Sequence, residues 1–190
     1  MNKKERILNA AVKYFATKGV NDSTMNEIAK EANVGKGTIY NYFKNKEDLN
    51  KSIIEYGFSK MNSTIQHKIK EQDDFKVVVT NIIEGYLEFY KNNFNLGQIL
   101  LREIMAQKDK FKESIEKIRF EHTIFIEKII QEAIENKIIK DLDPSIIAVS
   151  LVGMVNSTVI HWIIFREDFP LEEIKDNLTE IYFNGIILNK

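Results

Sequence analysis

Residues 28–49, IAKEANVGKGTIYNYFKNKEDL, leave the backbone few choices. Helical spacing first places three small or apolar residues on one face: Ile28, Ala29 and Ala32. Asn33 follows where the chain must take a left-handed turn, a conformation that Asn accepts second only to Gly. Gly35 then stands at the expected N-cap of another short helix. At about 100° per residue, Ile39 and Phe43 of that helix point to the core, which predicts a helix-turn-helix.

The residues around this motif complete a three-helix unit. Residues 4–18 carry one apolar stripe, formed by Ile7, Leu8, Ala11, Val12 and Phe15, and Gly19 supplies the stop. Thr24 and Glu27 have the spacing of a capping box, so the second helix begins at Thr24. Asn45 and Asp48 repeat the capping pattern and begin a fourth helix.

The outward face of the second motif helix is small, polar and aromatic, with Gly37, Thr38, Asn41 and Tyr42 pointing away from the core. Lys36 lies in its first turn, and a helix N-terminus with a lysine and hydroxyl donors suits a phosphate backbone. Residues 1–50 hold 9 Lys or Arg against 6 Asp or Glu, whereas residues 51–190 hold 18 against 22. The basic end therefore coincides with the motif, as binding to double-stranded DNA requires.

This stretch resembles the DNA-binding signature of the TetR (tetracycline-repressor) family, through its GTIY.YF core and the KNKEDL that follows. The resemblance covers residues 4–50 closely, although Asn33 replaces a common Gly and Gly35 a common Ser. It implies base-edge contact by Lys36, with Gly37 allowing close approach, and a backbone contact by Thr24. It also implies phosphate contacts by Thr38, Tyr40, Tyr42 and Lys46. Core burial is an equal alternative for Tyr40, and Asn26 and Asn41 are weaker candidates.

The remaining chain has the periodicity of further helices. Their predicted spans are about 46–70, 74–92, 95–107, 110–137, 144–166 and 170–188, which makes nine helices in total. With 2 Pro and 8 Gly in 190 residues, few positions force a helix to end. We therefore predict an all-α fold, with an N-terminal DNA-binding domain at 1–47 and a C-terminal helical ligand-binding and dimerisation domain at 48–190.

The last two helices are candidates for pairing two chains. SIIAVSLVGMVNSTVIHWIIF is apolar almost all round, which indicates burial on more than one side. In the final helix, residues recur at spacings of three and four: Leu171, Ile174, Leu178, Ile181, Gly185 and Leu188. Packing within one chain explains this pattern equally well. The family resemblance favours a homodimer through the last two helices.

A small-molecule site is expected in the C-terminal domain, because aromatic and Met residues there accompany a few polar ones. The candidates are Tyr86, Phe89, Tyr90, Arg102, Met105, His122, Phe125, Asn156, Ser157 and His161. The alternative for each residue is ordinary core or interface packing. The expected ligand, an inducer, is apolar or amphipathic.

Catalysis is not expected. The chain has no Cys, its three His residues are far apart, and no Walker or dinucleotide-binding glycine pattern occurs, so we predict no metal, no cofactor and no enzyme. No apolar run is expected to reach the roughly 18 residues of a membrane span, and no signal peptide is expected at the N-terminus. The hypothesis is a cytoplasmic homodimeric repressor that a small molecule releases from a palindromic operator. The alternative is a helical carrier or interaction module that retains the motif only structurally.

Overall fold

The structure, a computed structural model, describes residues 1–106, 112–165 and 170–186, with side chains described for 1–102, 123–162 and 170–184. Over these ranges the chain forms nine α-helices and no strand, so the predicted all-α fold is confirmed. The helices are α1 Lys3–Lys18, α2 Met25–Glu31, α3 Lys36–Tyr42, α4 Lys46–Gln66, α5 Phe75–Asn92, α6 Phe94–Ala106, α7 Lys112–Glu135, α8 Pro144–Phe165 and α9 Leu171–Ile186.

The first compact unit comprises residues 1–59 and 93–116. Its core takes apolar residues from several helices, among them Ile7, Phe15, Ile28, Ile39 and Leu49. Helix α6, although distant in sequence, packs against α1 within this unit. Gly57 permits the close approach of α4 and α6, because a Cβ built there would lie 2.9 Å from Cδ2 of Leu100.

Local signals fix both ends of α1. The Asn2 side chain accepts a hydrogen bond from the Glu5 amide at 2.9 Å, and the Asn2 amide donates to the Glu5 carboxylate at 3.0 Å. This capping box satisfies two otherwise unpaired amide groups. At the other end Gly19 has φ +82° and ψ 165°, a conformation essentially restricted to Gly, and its amide donates to the Phe15 carbonyl.

The second compact unit comprises residues 60–92 and 117–190. Helix α5 is its central element and packs against both α8 and α9. A Cβ at Gly85 would lie 2.9 Å from Cα of Ile65, so α5 touches the backbone at the end of α4. Helix α4 ends at Gln66 rather than near 70, since the Lys68 and Ile69 amides donate to carbonyls three residues back instead of four. The Lys68 carbonyl accepts from the Asn81 side chain at 2.9 Å.

An ion-pair chain reinforces this unit. The Lys68 ammonium lies 2.8 Å from the Glu84 carboxylate and 2.7 Å from that of Glu88, one turn apart on α5. Lys175 of α9 pairs with Glu172 and reaches Glu84 at 4.0 Å. These carboxylates raise the pKa of both Lys side chains, the larger effect coming from hydrogen bonding. The segment after α4 and the start of α9 are therefore both held on α5.

Helix α8 overturns one expectation from the sequence. Pro144–Trp162, 19 residues with mean hydropathy 1.5, is long and apolar enough to cross a membrane by length and composition, so the statement that no run reaches that length is wrong. No charged residue interrupts this run, although Ser, Asn, Thr and His residues do. The core helix of a soluble protein passes the same test, yet only 28% of this window is buried within the chain.

The two sides of α8 differ in burial. Ile147, Leu151, Val155 and Val159 are buried, and this side faces the core of the second unit. A continuous stripe on the other side is exposed and consists of Ile146, Val149, Ser150, Gly153, Ser157 and His161. In α9, Ile174 and Leu178 are buried in their own chain, whereas Ile181 is 62% exposed. Much of the apolar stripe of α9 therefore packs against its own chain.

Candidate functional sites

The turn between α2 and α3 has the predicted backbone. Asn33 has φ +51°, which confirms the left-handed conformation, and the Val34 amide donates to the Ala29 carbonyl at 2.9 Å. Gly35 is the N-cap of α3, with φ −68° and ψ 152°, and provides no side-chain cap. These conformations bring α2 and α3 together in a helix-turn-helix.

Helix α3 divides cleanly into a buried and an exposed face. Ile39 is fully buried and Phe43, at its C-cap, nearly so. Tyr40 and Tyr42 are each 45% exposed, which settles the alternative of core burial for Tyr40. Thr38 is half-buried, and the remaining outward residues are exposed: Lys36, Gly37 and Asn41. This exposed face presents two phenol rings, a lysine and a backbone without a side chain at residue 37.

Lys36 and Lys46 have different surroundings. Within the described ranges, the Lys36 ammonium forms no hydrogen bond or ion pair. The Lys46 ammonium, by contrast, donates to the Asn21 carbonyl at 2.6 Å. This bond ties the start of α4 to the loop between α1 and α2. Lys46 therefore has a structural contact that its position in the sequence did not indicate.

Thr24 is engaged in the predicted capping box. Its hydroxyl oxygen accepts from the Glu27 amide at 3.2 Å, and its own amide donates to the Glu27 carboxylate at 3.0 Å. Lys18 lies 3.0 Å from the same carboxylate. The hydrogen bond from the Thr24 hydroxyl, followed by that from Lys18, lowers the pKa of Glu27 to about 2. The start of α2 is thereby fixed against the end of α1.

The capping pattern before α4 is also confirmed. The Asn45 side chain accepts from the Asp48 amide at 2.8 Å, while the Asp48 carboxylate accepts from the Lys44 amide at 2.9 Å. These bonds hold the segment between α3 and α4 next to the exposed tyrosines. The end of α3 and the start of α4 are therefore linked by these two hydrogen bonds.

The candidate ligand residues do not form one group. Tyr86, Phe89 and Tyr90 are buried on α5, and the Tyr90 hydroxyl donates to Oδ1 of Asn156 on α8 at 3.0 Å. Burial raises the pKa of both Tyr86 and Tyr90, so both phenols stay neutral. Phe125 is half-buried on α7.

The other candidates lie elsewhere. Ser157 and His161 are on the exposed side of α8. Arg102 belongs to the first unit, where its Nη1 donates to the Ala16 carbonyl through a long hydrogen bond of 3.4 Å. The side chains of Met105 and His122 lie outside the described residues. One direct hydrogen bond described between candidates is that of Tyr90 with Asn156. No group of His, Asp and Glu side chains in the described part of the chain is arranged to hold a metal ion.

Two sequence models of one family cover most of the chain. Residues 7–53 match bacterial regulatory proteins of the tetR family, and residues 78–186 match the tetracyclin repressor-like C-terminal domain. The chain belongs to the TetR family. The resemblance to the TetR family inferred from residues 4–50 is confirmed. The second match shows that the C-terminal helices, for which the sequence indicated only helical periodicity, also belong to this family.

Similar TetR-family proteins match over nearly their whole length. The fatty acid metabolism regulator protein of Bacillus subtilis is 27% identical over 182 residues, which cover 95% of this chain and 94% of that protein. An uncharacterized HTH-type transcriptional regulator of the same species, YhgD, is 30% identical over 183 residues, with coverage of 96% and 95%. The crystal structure of the transcriptional regulator FadR from Bacillus subtilis in complex with stearoyl-CoA has a TM-score of 0.87 and 26% identity, with coverage of 95% and 98%.

Membership of the TetR family decides the class of function. The chain is a DNA-binding transcriptional regulator and not an enzyme, as the sequence predicted. The alternative of a carrier that keeps the motif only structurally is therefore not adopted. The sequence missed two contacts of the first unit, those of Lys46 with Asn21 and of Arg102 with Ala16, because their partners lie 25 and 86 residues away.

Proposed function

We propose that this TetR-family regulator is a cytoplasmic homodimeric repressor, released from a palindromic operator by a long-chain acyl-CoA. The similarity to the Bacillus subtilis FadR crystallised with stearoyl-CoA supports the ligand class, because it extends over 95% of the chain at 26% identity. An acyl-CoA is amphipathic, in agreement with the ligand character inferred from the sequence. Residues 1–47 would bind DNA and residues 48–190 would bind the ligand and the second copy.

The proposed DNA surface is the exposed face of α3 with its flanks. The Lys36 ammonium, which forms no hydrogen bond or ion pair within the described ranges, could reach a base edge, and Gly37 would let the helix backbone approach the groove. The exposed hydroxyls of Tyr40 and Tyr42 would donate to phosphate oxygens, as would the half-buried Thr38. Thr24 would contact the backbone at the start of α2, with Asn26 and Asn41 as secondary candidates.

Lys46 would combine two roles. One of its three N–H groups donates to the Asn21 carbonyl, and the other two remain for a phosphate. Anchoring the ammonium in this way reduces the side-chain entropy that DNA binding has to remove. Substituting Lys46 would consequently affect both folding and DNA binding, so it makes a poor single test of the DNA surface.

The proposed dimer surface is the exposed stripe of α8, joined by Ile181 of α9. Ile146 is 67% exposed and Val149 55% exposed, which is unusual for adjacent apolar residues of a soluble monomer. Between them and the end of the stripe lie Ser150, Gly153 and Ser157, and a Cβ at Gly153 would meet nothing within 4 Å. Small residues on this stripe would let the same helix of a second copy approach closely.

Helix α6 contacts two other helices of the first unit. Within the first unit it contacts α1 through Arg102 and α4 through the close approach of Leu100 to Gly57. The Ala16 carbonyl that Arg102 meets is one of the last four of α1 and lacks an intrahelical partner. A shift of α6 would therefore act on α1 and α4 together. The ligand would favour a spacing of the two α3 helices that no longer fits two major grooves.

Binding to a labelled duplex from the promoter of the protein's own gene tests this function. We expect binding to weaken steeply as salt rises, and saturating stearoyl-CoA to weaken it roughly 5- to 150-fold, the usual range of coupling between two sites. Tyr42→Phe and Lys36→Ala should weaken binding, whereas Lys30→Ala, an exposed lysine on α2, should not. Unchanged DNA affinity in the presence of bound stearoyl-CoA would exclude release by this ligand.

A further inference from the structure

Glu27 accepts both hydrogen bonds that Thr24 can donate. The Thr24 hydroxyl donates to Oε2 of Glu27 at 2.7 Å, and the Thr24 amide donates to the same oxygen at 3.0 Å. A threonine has one hydroxyl proton and one amide proton to donate. Thr24 is exposed, yet both of these protons are directed at a carboxylate of its own chain.

A phosphate at Thr24 would need a proton that this carboxylate already holds. Phosphate oxygens of the DNA backbone accept hydrogen bonds from hydroxyl and amide groups. The Thr24 hydroxyl oxygen also accepts from the Glu27 amide at 3.2 Å, so its proton is what it can offer to a phosphate. A direct hydrogen bond from this hydroxyl to DNA therefore requires that its proton leave Glu27. The phosphate and the carboxylate compete for one donor.

The charge of Glu27 opposes DNA at the same place. The hydrogen bond from the Thr24 hydroxyl, followed by that from Lys18, lowers the pKa of Glu27 to about 2, so the carboxylate is ionised at neutral pH. A phosphate at Thr24 would lie close to this negative charge and be repelled by it. The Lys18 ammonium, 3.0 Å from Oε1, offsets part of the repulsion and also holds the carboxylate beside Thr24.

We propose that Glu27 limits the affinity of this regulator for DNA by competing with a backbone phosphate for the Thr24 hydroxyl. This rests on the Thr24 contact of the proposed function and adds to it the residue that weakens that contact. In the free protein the hydroxyl proton points to Glu27, and on the operator it turns to the phosphate. Glu27 acts through Thr24 and does not itself bind DNA.

Glu27→Gln tests the proposal in a binding titration with the labelled duplex. Gln at this position keeps the capping box, because its side-chain oxygen still accepts from the Thr24 amide. It is neutral, however, and a weaker acceptor than a carboxylate. Glu27→Gln should bind DNA about three- to tenfold more tightly than wild type, the contribution of one hydrogen bond. A purely structural role of Glu27 predicts the opposite sign, because losing the carboxylate should destabilise the start of α2.

Glu31→Gln is the matched control for the loss of one negative charge. Glu31 also lies on α2 and pairs with a lysine of α1, Lys13, at 2.6 Å. Its side chain is 38% exposed, compared with 37% for Glu27. Because Glu31 has no hydrogen bond to Thr24, its substitution should increase DNA affinity less than Glu27→Gln does.

Substitutions of Thr24 test the hydroxyl itself. In a Thr24→Ser background the gain from Glu27→Gln should persist, whereas in Thr24→Ala it should fall to that of Glu31→Gln. Equal gains from the two glutamate substitutions in the wild-type background would overturn the competition, as would an undiminished gain in Thr24→Ala. Both results would leave DNA binding intact. If wild-type protein did not bind the duplex, the operator contact would be wrong, and the competition with it.

Discussion

Gly85 is the position where one added methyl group should have the clearest effect on stability. In Gly85→Ala the new Cβ would lie 2.9 Å from both Cα and Cγ1 of Ile65, and backbone cannot rotate away as a side chain can. Overpacking of this kind costs about 1–3 kcal/mol, and the backbone contact places Gly85 at the upper end. Replacing a helical Gly by Ala returns roughly 1 kcal/mol. The net loss should be about 1–2 kcal/mol.

Substitutions at two further glycines should destabilise the fold less than Gly85→Ala, so the three variants can be ranked by stability. In Gly57→Ala the Cβ meets only side-chain atoms of Leu100, at 2.9–3.1 Å, so a rotamer change can relieve part of the contact. Its stability should stay within about 1 kcal/mol of wild type. In Gly37→Ala the Cβ meets nothing within 4 Å, so the fold should be as stable as wild type or slightly more so, while DNA affinity falls.

Urea unfolding followed by circular dichroism measures the stability of the three variants. The protein concentration must be the same for all of them, because the apparent stability of a dimer depends on concentration. Gly85→Ala should also melt about 2–8 °C below wild type, since 1 kcal/mol shifts the melting temperature by roughly 2–4 °C at this size. A Gly85→Ala protein as stable as wild type, or less destabilised than Gly57→Ala, would refute the close contact between α5 and the end of α4.

Three other substitutions test separate features. Asn33→Ala should lose about 1 kcal/mol in urea unfolding because φ is +51°, whereas Asn33→Gly should not; equal losses would contradict the left-handed turn. Glu27→Gln should be less stable than wild type at neutral pH. The folded pKa of Glu27 is depressed to about 2 from 4.5, so this deficit should be complete above pH 4.5 and vanish as pH falls towards 2. Val149→Arg should convert the proposed dimer to a monomer in sedimentation; a persisting dimer would exclude the α8 stripe as its interface.

The sequence specified the features that depend on neighbouring residues. Asn33, the N-cap Gly35 and the capping residues Thr24 and Asn45 act within four residues, and their conformations follow from local hydrogen bonding and steric limits. The exposure of Tyr40 could not be predicted from neighbouring residues. A residue at the edge of the apolar stripe of a helix can lie on the buried or on the exposed side. The exposed face of α3 was therefore predictable in outline, and the exposure of Tyr40 was not.

Contacts between distant segments were not predictable from spacing. The apolar residues Ile174 and Leu178 have the same periodicity whether they meet their own chain or a second copy, and only the packing of α5 on α9 shows that they are buried within the chain. Arg102 was assigned to a ligand site because it is polar within an apolar helix. Its bond to Ala16 depends on where α6 packs, which its own sequence does not encode.

The position of α6 also affects which chimeras of two related regulators should fold correctly. The unit that contains the helix-turn-helix is discontinuous in sequence. It consists of residues 1–59 and 93–116, and the 33 residues between these two segments belong to the second unit. On the ribosome, α1 would emerge well before the helix that covers it. A chimera made by exchanging only residues 1–50 between two relatives would pair one protein's α1 with another's α6. Exchanging α6 together with the first 59 residues should preserve that packing.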